Sequence, residues 1–237
     1  VSDSIRDAAQ ARWGWHWENQ ETPQRPVGIT PLYSKVKLWC VPNVESVRPV
    51  GPPAPNSPDF QTAANELNDV LDNLTNDQRK IANFWSDGLG TYTPPGHWNR
   101  FACESIVKNR YNPLRAARVL AYLNMAMQDA GIACWDAKYY FHYPRPIQAM
   151  PGFKTILGTP NFPSYTSGHS MFSAAGAEVL SYIFPADAAT FQNYSEEAAL
   201  SRLYGGIHYR FDITDGNTSG KAVGQYTIDR MKVDGGE

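Results

Sequence analysis

The chain has 237 residues, with 21 lysines and arginines against 23 aspartates and glutamates, so its formal net charge is −2. Charged residues make up 19% of the chain and aromatic residues 13%. This excludes general disorder, which combines low hydrophobicity with high net charge, and argues against a nucleic-acid-binding protein, which needs a basic surface. No segment has the roughly 20 uncharged apolar residues that cross a bilayer. We therefore expect a soluble protein, secreted or periplasmic rather than cytoplasmic.

Tryptophan and proline dominate the first 58 residues. Trp13, Trp15 and Trp17 alternate, and six prolines lie between Val41 and Pro58. Prolines at that density exclude a helix interior and a central strand. We predict an extended arm over residues 1–58 that is anchored on the body of the protein by its aromatic side chains. A flexible linker is the alternative, although a linker seldom carries so many tryptophans.

Helical patterns begin at residue 59, where the predicted catalytic body (59–237) starts. Apolar residues recur at three- to four-residue spacing from Asp59 to Leu74, the period of an amphipathic helix. Thr75 and Gln78 form a capping-box pattern that opens a second helix, which we expect to end at Gly88.

The rest of the chain predicts longer helices. In chain order they span Pro113 to about Phe141, about Gly168 to Ile183, 196–204 and about His208 to Met231. Within the last helix, Gly216, Gly220 and Gly224 recur every four residues, which favours close packing against another helix. Since there is no convincing strand pattern, the predicted fold class is all-α, a compact helical bundle.

The cysteines leave two alternatives open. Cys40, Cys103 and Cys134 cannot all pair within the chain, and their spacing fits no zinc or redox motif. One disulfide and three buried thiols are equally consistent with the sequence.

Three separated segments concentrate polar residues that suit a tetrahedral oxyanion. Lys138, Arg145 and Arg202 supply three cations, of which arginine can direct two donors at neighbouring oxygens. Ser167 and Gly168 lie where a helix is predicted to begin, and the free N–H groups of a helix start favour an anion.

Three further residues in these segments suit proton transfer or ligation. His208 and Asp212 are one helical turn apart, so they can touch, and a carboxylate on one ring nitrogen leaves the other free to attack or to ligate. His169 is available as a general acid or base. Taken singly, such residues have ordinary readings as solvated charges, weak surface pairs or helix starts. Their joint occurrence, in order, is what favours a site.

The pattern Lys-x6-Arg-Pro, then Ser-Gly-His, then Ser-Arg-x5-His-x3-Asp resembles the signature of one superfamily. That superfamily joins type 2 phosphatidic acid phosphatases, bacterial non-specific acid phosphatases and vanadium-dependent haloperoxidases. The resemblance implies a helical bundle with a pocket for phosphate or vanadate. It implies oxyanion ligands at Lys138, Arg145, Ser167, Gly168 and Arg202. It implies that His169 is the acid–base histidine and that His208, oriented by Asp212, is the axial vanadium ligand or the phosphorylated nucleophile. Thr166 stands where the family usually has proline, which we expect to loosen the turn without removing a ligand.

Three features are similar to the fungal-type chloroperoxidases within that superfamily. Trp135 and Phe162 look like the apolar wall beside the vanadate, where a bromide-preferring enzyme tends to carry histidine in place of Phe162. Ordinary core packing is the alternative for both rings. Asp87 looks like the aspartate that pairs with a pocket arginine, with Arg202 as its expected partner. His97 matches no position of the signature, so we expect it to be structural or exposed.

The resemblance predicts a vanadate-dependent haloperoxidase of the chloroperoxidase type, which oxidises halide with hydrogen peroxide to hypohalous acid and in which Lys138 is a catalytic residue that polarises the bound peroxide. The alternative is a soluble acid phosphatase that hydrolyses phosphomonoesters through a phosphohistidine, with phosphate in the same site. A third hypothesis is a non-catalytic oxyanion-binding protein, against which the complete histidine set argues. The membrane phosphatases of the superfamily span the bilayer several times, which this chain cannot do. Because the chain carries one signature, we expect a homodimer or a further bundle upstream.

Overall fold

The protein is described by a computed structural model over residues 2–23, 28–88 and 90–236. Within those residues the regular structure is α-helix with short 3₁₀ turns and no strand, which confirms the all-α class. No helix in this part of the chain is long and apolar enough to cross a membrane. The α-helices are α1 (Ser2–Trp13), α2 (Pro58–Asp72), α3 (Asn76–Phe84), α4 (Thr93–Lys108), α5 (Pro113–Phe141), α6 (Pro146–Ala149), α7 (Gly168–Ile183), α8 (Ala188–Tyr204) and α9 (Arg210–Val233).

The first helix corrects the prediction of an extended arm. α1 covers 12 residues at the start of that arm. Its sequence contains no proline, because the prolines of this region begin at Pro23, so nothing in the local chain interrupts helical hydrogen bonding. The proline argument therefore applies only to the residues after α1.

Aromatic side chains tie the N-terminal region to α5. The Nε1 atom of Trp13 donates to the carbonyl oxygen of Tyr140 at 3.0 Å, and that of Trp15 donates to the carbonyl oxygen of Phe141 at 3.2 Å. Residues 24–27 of the predicted arm lie outside the described residues. The division of the chain at residue 58 into arm and body stays a prediction.

The start of α3 follows the sequence prediction, and its end does not. The Thr75–Gln78 capping box is present, with the Thr75 N–H donating to Gln78 Oε1 at 2.9 Å and the Gln78 N–H donating to Thr75 Oγ1 at 3.2 Å. The helix ends at Phe84, before Gly88. Asp87 then adopts a left-handed φ of 45°, which aspartate tolerates better than most residues, so no glycine is needed to redirect the chain.

The long helix α5 has the predicted bounds. The Asn112 side chain accepts a hydrogen bond from the Arg115 N–H at 2.9 Å, and Pro113 stands at the first position, where its missing N–H costs nothing. The helix ends because His142 takes a left-handed φ of 52° and Pro144 follows shortly after. This break directs the next residues toward the centre of the molecule.

Two helices differ from the prediction. α4 is not among the predicted helices, and its sequence includes Pro94 and Pro95. Both prolines lie in its first turn, where the backbone N–H groups have no partner within the helix. α8 begins at Ala188 rather than at residue 196. Its first turns bury only Phe191 and Ser195, which is too little to give a readable apolar period.

The centre of the bundle is α7, which packs against α5, α8 and α9. The predicted close packing of the glycine repeat is confirmed on α9. A Cβ added at Gly220 would collide with the carbonyl oxygen of Met171, and one at Gly224 would lie 2.6 Å from the Cβ of Glu178. The backbones of α7 and α9 can approach this closely only because side chains are absent there.

The three cysteines are unpaired. Cys134 is buried, Cys40 is half-buried and Cys103 is exposed. The disulfide alternative is therefore wrong, and the alternative of buried thiols holds only for Cys134.

Candidate active site

A buried histidine and carboxylate stand at the start of α9. His208 Nδ1 donates to Asp212 Oδ2 at 2.7 Å, and the two residues are 3% and 0% exposed. His208 precedes the helix, and the Asp212 carboxylate also accepts the Tyr209 N–H at 3.3 Å. The predicted contact between His208 and Asp212 is thus confirmed. Its cause is different, because the Asp212 carboxylate is positioned by capping the start of α9 and not by the spacing of one helical turn.

Ser164 is a second partner of this carboxylate. Its Oγ donates to Asp212 Oδ2 at 2.5 Å and lies 3.5 Å from His208 Nδ1. The Asp212 carbonyl oxygen also accepts the Ser167 N–H at 2.9 Å, so the start of α7 is tied directly to the start of α9. From the sequence, Ser164 is a candidate only for the rim of the pocket, and its contact with Asp212 is not predicted.

Burial and charge keep the His208 imidazole neutral. Burial lowers the pKa of His208 well below its ordinary value, and the positive charges of Arg145, Lys138 and Arg202 lower it further. Burial raises the pKa of Asp212 to about 6, while the hydrogen bond from Ser164 and the nearby cations oppose that rise. Because the proton lies on Nδ1 toward the carboxylate, Nε2 carries no proton and its lone pair can accept a hydrogen bond or bind a ligand.

Arg145 contacts that second nitrogen. Its Nη1 donates to His208 Nε2 at 3.0 Å and to the Ile207 carbonyl oxygen at 2.7 Å, and its Nε donates to the Phe162 carbonyl oxygen at 3.0 Å. The side chain is fully buried, and burial lowers its pKa to about 10, so it stays charged at neutral pH. Its Nη2 is buried with no hydrogen-bond partner among the described residues.

Lys138, at the end of α5, is 0% exposed, which excludes a solvated surface lysine. Its Nζ donates to three carbonyl oxygens, those of Pro163 at 3.0 Å, Ser164 at 2.8 Å and Thr166 at 2.5 Å. Burial lowers the pKa of Lys138 to about 7, while three acceptors match the three N–H bonds of an ammonium and favour the charged form. Lys138 therefore anchors the segment that leads into α7.

Arg202, near the end of α8, is 2% exposed. Its Nη2 donates to the carbonyl oxygens of Trp85 at 2.6 Å and Ala82 at 3.3 Å, and its Nε donates to Ser201 Oγ at 2.9 Å. Burial lowers the pKa of Arg202 to about 9, and the negative charge of Asp87 opposes the shift. The structure thus places Arg202 within electrostatic reach of the other cations.

Asp87 and Arg202, both within the described residues, form no direct hydrogen bond or ion pair, although the charge of Asp87 acts on Arg202. Asp87 Oδ2 instead accepts from His97 Nδ1 at 3.0 Å, and the same oxygen lies 3.7 Å from His169 Nε2. His97 is 2% exposed, so the expectation of an exposed histidine is wrong and that of a structural histidine remains. Its contact with Asp87 was missed because the two residues lie ten positions apart on either side of an irregular turn.

The segment Ser167–His169 begins α7 as predicted. Ser167 is the N-cap, and its Oγ accepts the Ser170 N–H at 3.3 Å. A Cβ added at Gly168 would meet nothing nearer than Cys134 Sγ at 3.9 Å. The Nε2 atom of His169 is buried with no hydrogen-bond partner in the described part of the chain. Burial first, and the charge of Arg202 second, lower the pKa of His169 well below its ordinary value.

Trp135 and Phe162 form a half-buried aromatic wall beside the cations. Their ring centroids lie 5.0 Å apart. The Phe162 ring lies 5.0 Å from Lys138 Nζ and 5.1 Å from Arg145 Cζ. Trp135 Nε1 donates to the Ile29 carbonyl oxygen at 3.1 Å. The two rings therefore pack on each other, as the alternative of ordinary packing predicts. Phe162 also contacts Lys138 and Arg145.

The residues present fit an oxyanion better than a bare cation. Among the described residues, no group of three or more histidines, cysteines or carboxylates could hold a metal ion. The buried Nη2 of Arg145 and Nε2 of His169, both without partners there, are the kind of unsatisfied groups that a bound ligand completes. Vanadate and phosphate, as tetrahedral anions, both match this set of donors.

Comparisons with known proteins agree with this chemistry. The profile of the PAP2 superfamily matches residues 118–230, which contain all three signature segments. The vanadium chloroperoxidase of Curvularia inaequalis is 28% identical over a match that covers 35% of this chain and 18% of that protein.

Solved structures extend the comparison to most of the chain. A bacterial vanadium-dependent iodoperoxidase has a TM-score of 0.82 and 28% identity over 92% of this chain, which spans 60% of that protein. A bacterial vanadium-dependent chloroperoxidase has a TM-score of 0.74 and 16% identity over 86% of this chain and 55% of its own. A transmembrane PAP2-type phosphatidylglycerolphosphate phosphatase from Bacillus subtilis has a TM-score of 0.54 and 13% identity over 77% of this chain and 91% of its own. The last two likenesses concern the fold alone.

Proposed function

Because the profile of the PAP2 superfamily matches residues 118–230 of this chain, we propose that the protein is a vanadate-dependent haloperoxidase. The observation that carries the proposal is the unprotonated Nε2 of His208, which accepts a hydrogen bond from Arg145 while Asp212 holds the ring proton on Nδ1, in a buried cluster of cations. The 28% identity with a vanadium-dependent iodoperoxidase over 92% of this chain supports the same activity. Hydrogen peroxide and halide are then the substrates.

The anion would be held by groups already described. His208 Nε2 would ligate the vanadium, Arg145 and Arg202 would neutralise its oxygens, and the Ser167 hydroxyl and the Gly168 N–H would donate to them. When bound, vanadate supplies a Lewis acid that activates peroxide toward halide without changing its own oxidation state.

The protein's own groups orient and move protons. Asp212 keeps the His208 proton on Nδ1, and Ser164 holds the Asp212 carboxylate at 2.5 Å. Lys138 fixes the backbone of residues 163–166 through three hydrogen bonds, and the three carbonyl acceptors favour its charged form beside the site. His169 Nε2 has no other hydrogen bond among the described residues, so it is available to give or take the proton of a reacting oxygen.

The halide would meet the wall of Trp135 and Phe162. Of the three features that suggested a chloroperoxidase, the Asp87–Arg202 pair is not found, so the proposal covers chloride, bromide and iodide alike. A Phe162→His variant tests the wall. We expect a change in the ratio of bromide to chloride turnover, since an imidazole replaces an apolar ring beside Lys138 and Arg145.

A phosphomonoesterase is the second candidate, and the same lone pair supports it. His208 Nε2 would attack phosphorus, His169 would protonate the departing alcohol, and water would then release phosphate from His208. The buried cations would stabilise the charge of the transition state. The match to the PAP2 superfamily is common to both activities.

One paired assay distinguishes these candidates. The protein is freed of phosphate, loaded with orthovanadate and assayed for halogenation of an activated ketone with peroxide and each halide, and then, without vanadate, for hydrolysis of an aryl phosphate. We expect halogenation that inorganic phosphate inhibits. His208→Ala should abolish it, whereas His16→Ala, a histidine of the N-terminal region, should not. Aryl phosphate hydrolysis without halogenation would favour the phosphatase, and neither activity would favour the binding protein.

We also propose the oligomeric state and the cellular location of the protein. The chain spans 60% of the iodoperoxidase structure, so a homodimer or a further bundle would supply the remainder of such an enzyme. Light scattering of the purified chain tests the dimer, and fractionation of cells tests the proposed secreted or periplasmic location.

A further inference from the structure

We propose that His97 is a positioning residue, which holds the Asp87 carboxylate toward His169 through a buried hydrogen bond. This inference rests on the proposed function, because it gives His169 the acid–base role. It adds a residue that the signature does not contain.

The first observation is the bond itself. His97 Nδ1 lies 3.0 Å from Asp87 Oδ2 and 3.0 Å from Asp87 Oδ1. The two side chains are 2% and 3% exposed. An ionised carboxylate only accepts hydrogen bonds, so the His97 proton lies on Nδ1 and the tautomer is fixed.

The second observation is the aromatic cage around the imidazole. The other ring nitrogen, Nε2, is buried with no hydrogen-bond partner among the described residues, so Asp87 is the polar contact that the ring keeps there. The ring is fixed by four aromatic neighbours with centroid distances of 4.6 to 5.5 Å: Trp85, Phe84, Tyr92 and Phe101. The His97 ring is therefore held in place by aromatic packing. Because the ring cannot move, its hydrogen bond keeps the Asp87 carboxylate in place.

The third observation is that the Asp87 carboxylate lies near two other groups, His169 and Arg202. Its Oδ2 lies 3.7 Å from His169 Nε2, just beyond hydrogen-bond length, and its charge also reaches Arg202. Asp87 follows α3 with a left-handed φ of 45°, so its backbone is set apart from regular helix. Without His97 the carboxylate would be free to turn to the arginine. With His97 in place, the carboxylate remains beside His169 and can accept its N–H when that ring carries a proton.

The test uses three substitutions of one residue in the full chain. The amide nitrogen of His97→Asn stands near the position of Nδ1, that of His97→Gln reaches further, and His97→Phe fills the cage without a donor. We measure kcat for halogenation and the Kd of orthovanadate by calorimetry. We expect kcat to fall about 10- to 100-fold in the Phe and Gln variants, as for other residues that orient active-site groups, and to recover substantially in the Asn variant. The Kd of orthovanadate should stay close to that of the natural protein.

The outcomes separate this inference from the proposed function. Tyr92→Phe, which keeps the cage and changes only its rim, should leave kcat unchanged. Full kcat in His97→Phe overturns the inference, and so does a parallel loss of kcat, vanadate affinity and thermal stability in all three variants, because that pattern indicates a merely structural role. If the natural protein itself turns over neither substrate class, the proposed function fails and this inference falls with it.

Discussion

The Nε2 atom of His208 accepts a hydrogen bond from Nη1 of Arg145 at 3.0 Å. This hydrogen bond uses the same lone pair that would bind a vanadium or phosphorus atom. Arg145 must therefore give up the bond when an oxyanion binds to His208. A bound oxyanion would replace the hydrogen bond between Arg145 and His208 with two contacts. Arg145 would then donate to an oxygen of the anion, and His208 would bind its central atom. His208 Nε2 is thereby satisfied before a ligand binds, whereas Arg145 Nη2 and His169 Nε2 have no partner among the described residues.

Asp212→Asn tests whether the carboxylate holds the reactive tautomer of His208. The variant keeps the size of the side chain but removes the charge, and its amide can present N–H toward Nδ1 and so move the ring proton to Nε2. We expect kcat to fall by about 10²- to 10⁴-fold, as when an orienting aspartate is lost from a catalytic histidine. Asp215→Asn, on the same helix and hydrogen-bonded to Tyr165, is the matched control and should keep its activity. Equal losses in both variants would contradict the assignment.

Ser164→Ala tests the hydrogen bond that holds Asp212 in turn. Loss of the 2.5 Å contact leaves the carboxylate with one fewer donor, so its orientation toward His208 becomes less defined. We expect about a tenfold loss of kcat or of vanadate affinity. Ser170→Ala removes a buried hydroxyl that has no partner among the described residues and should change neither quantity. A Ser164→Ala variant with unchanged kinetics would place Ser164 outside the orienting network.

Part of the site could be read from residue order alone. Arg145 and His208 come from separate motifs, yet Arg145 Nη1 contacts His208 Nε2, and the charges of Lys138 and Arg202 reach the same imidazole. The contact of His208 with Asp212 was also foreseen, although capping rather than helical spacing produces it. Spacing could reveal these residues because their chemistry is unusual as a set.

Other contacts could not be read, because they depend on how side chains turn. Ser164 is an ordinary residue until its hydroxyl reaches Asp212. His97 and Asp87 have no regular spacing, and the carboxylate could have faced Arg202 equally well on sequence grounds. The same holds for Lys138, whose three bonds to backbone carbonyls leave no trace in the sequence. The helix α4 was not predicted either. Prolines usually interrupt a helix, and these two are tolerated only because they lie in its first turn.

Gly220→Ala tests the close contact of α7 with α9. The added Cβ would collide with the Met171 carbonyl oxygen and lie 2.8 Å from the Cβ of Ala174, so the helices would have to separate. We expect a loss of about 1–3 kcal/mol in the free energy of unfolding, measured by urea denaturation. Gly158→Ala, where an added Cβ meets nothing within 4 Å, is the control and should be near neutral. Equal stability of the two variants would show that the helices can move apart freely.

His142→Asn tests the link between pH and stability at the end of α5. His142 Nδ1 accepts the Trp17 N–H at 3.0 Å, and burial lowers the pKa of His142 from 6.5 to about 4. The unfolded chain therefore binds a proton below pH 6.5 that the folded chain does not bind until about pH 4. Stability from this group is fully present above pH 6.5 and is lost as the pH falls, by up to about 3 kcal/mol.

The asparagine variant removes this titration while keeping the local structure. Asparagine tolerates the left-handed φ of 52° at this position, and its side-chain oxygen can still accept from Trp17. We expect the free energy of unfolding of the variant, measured in urea at pH 7 and at pH 4, to fall less than that of the natural protein by about 3 kcal/mol. Other groups titrate in both proteins and cancel in the difference. Parallel pH dependences would mean that the imidazole is not kept neutral by its burial against Trp17.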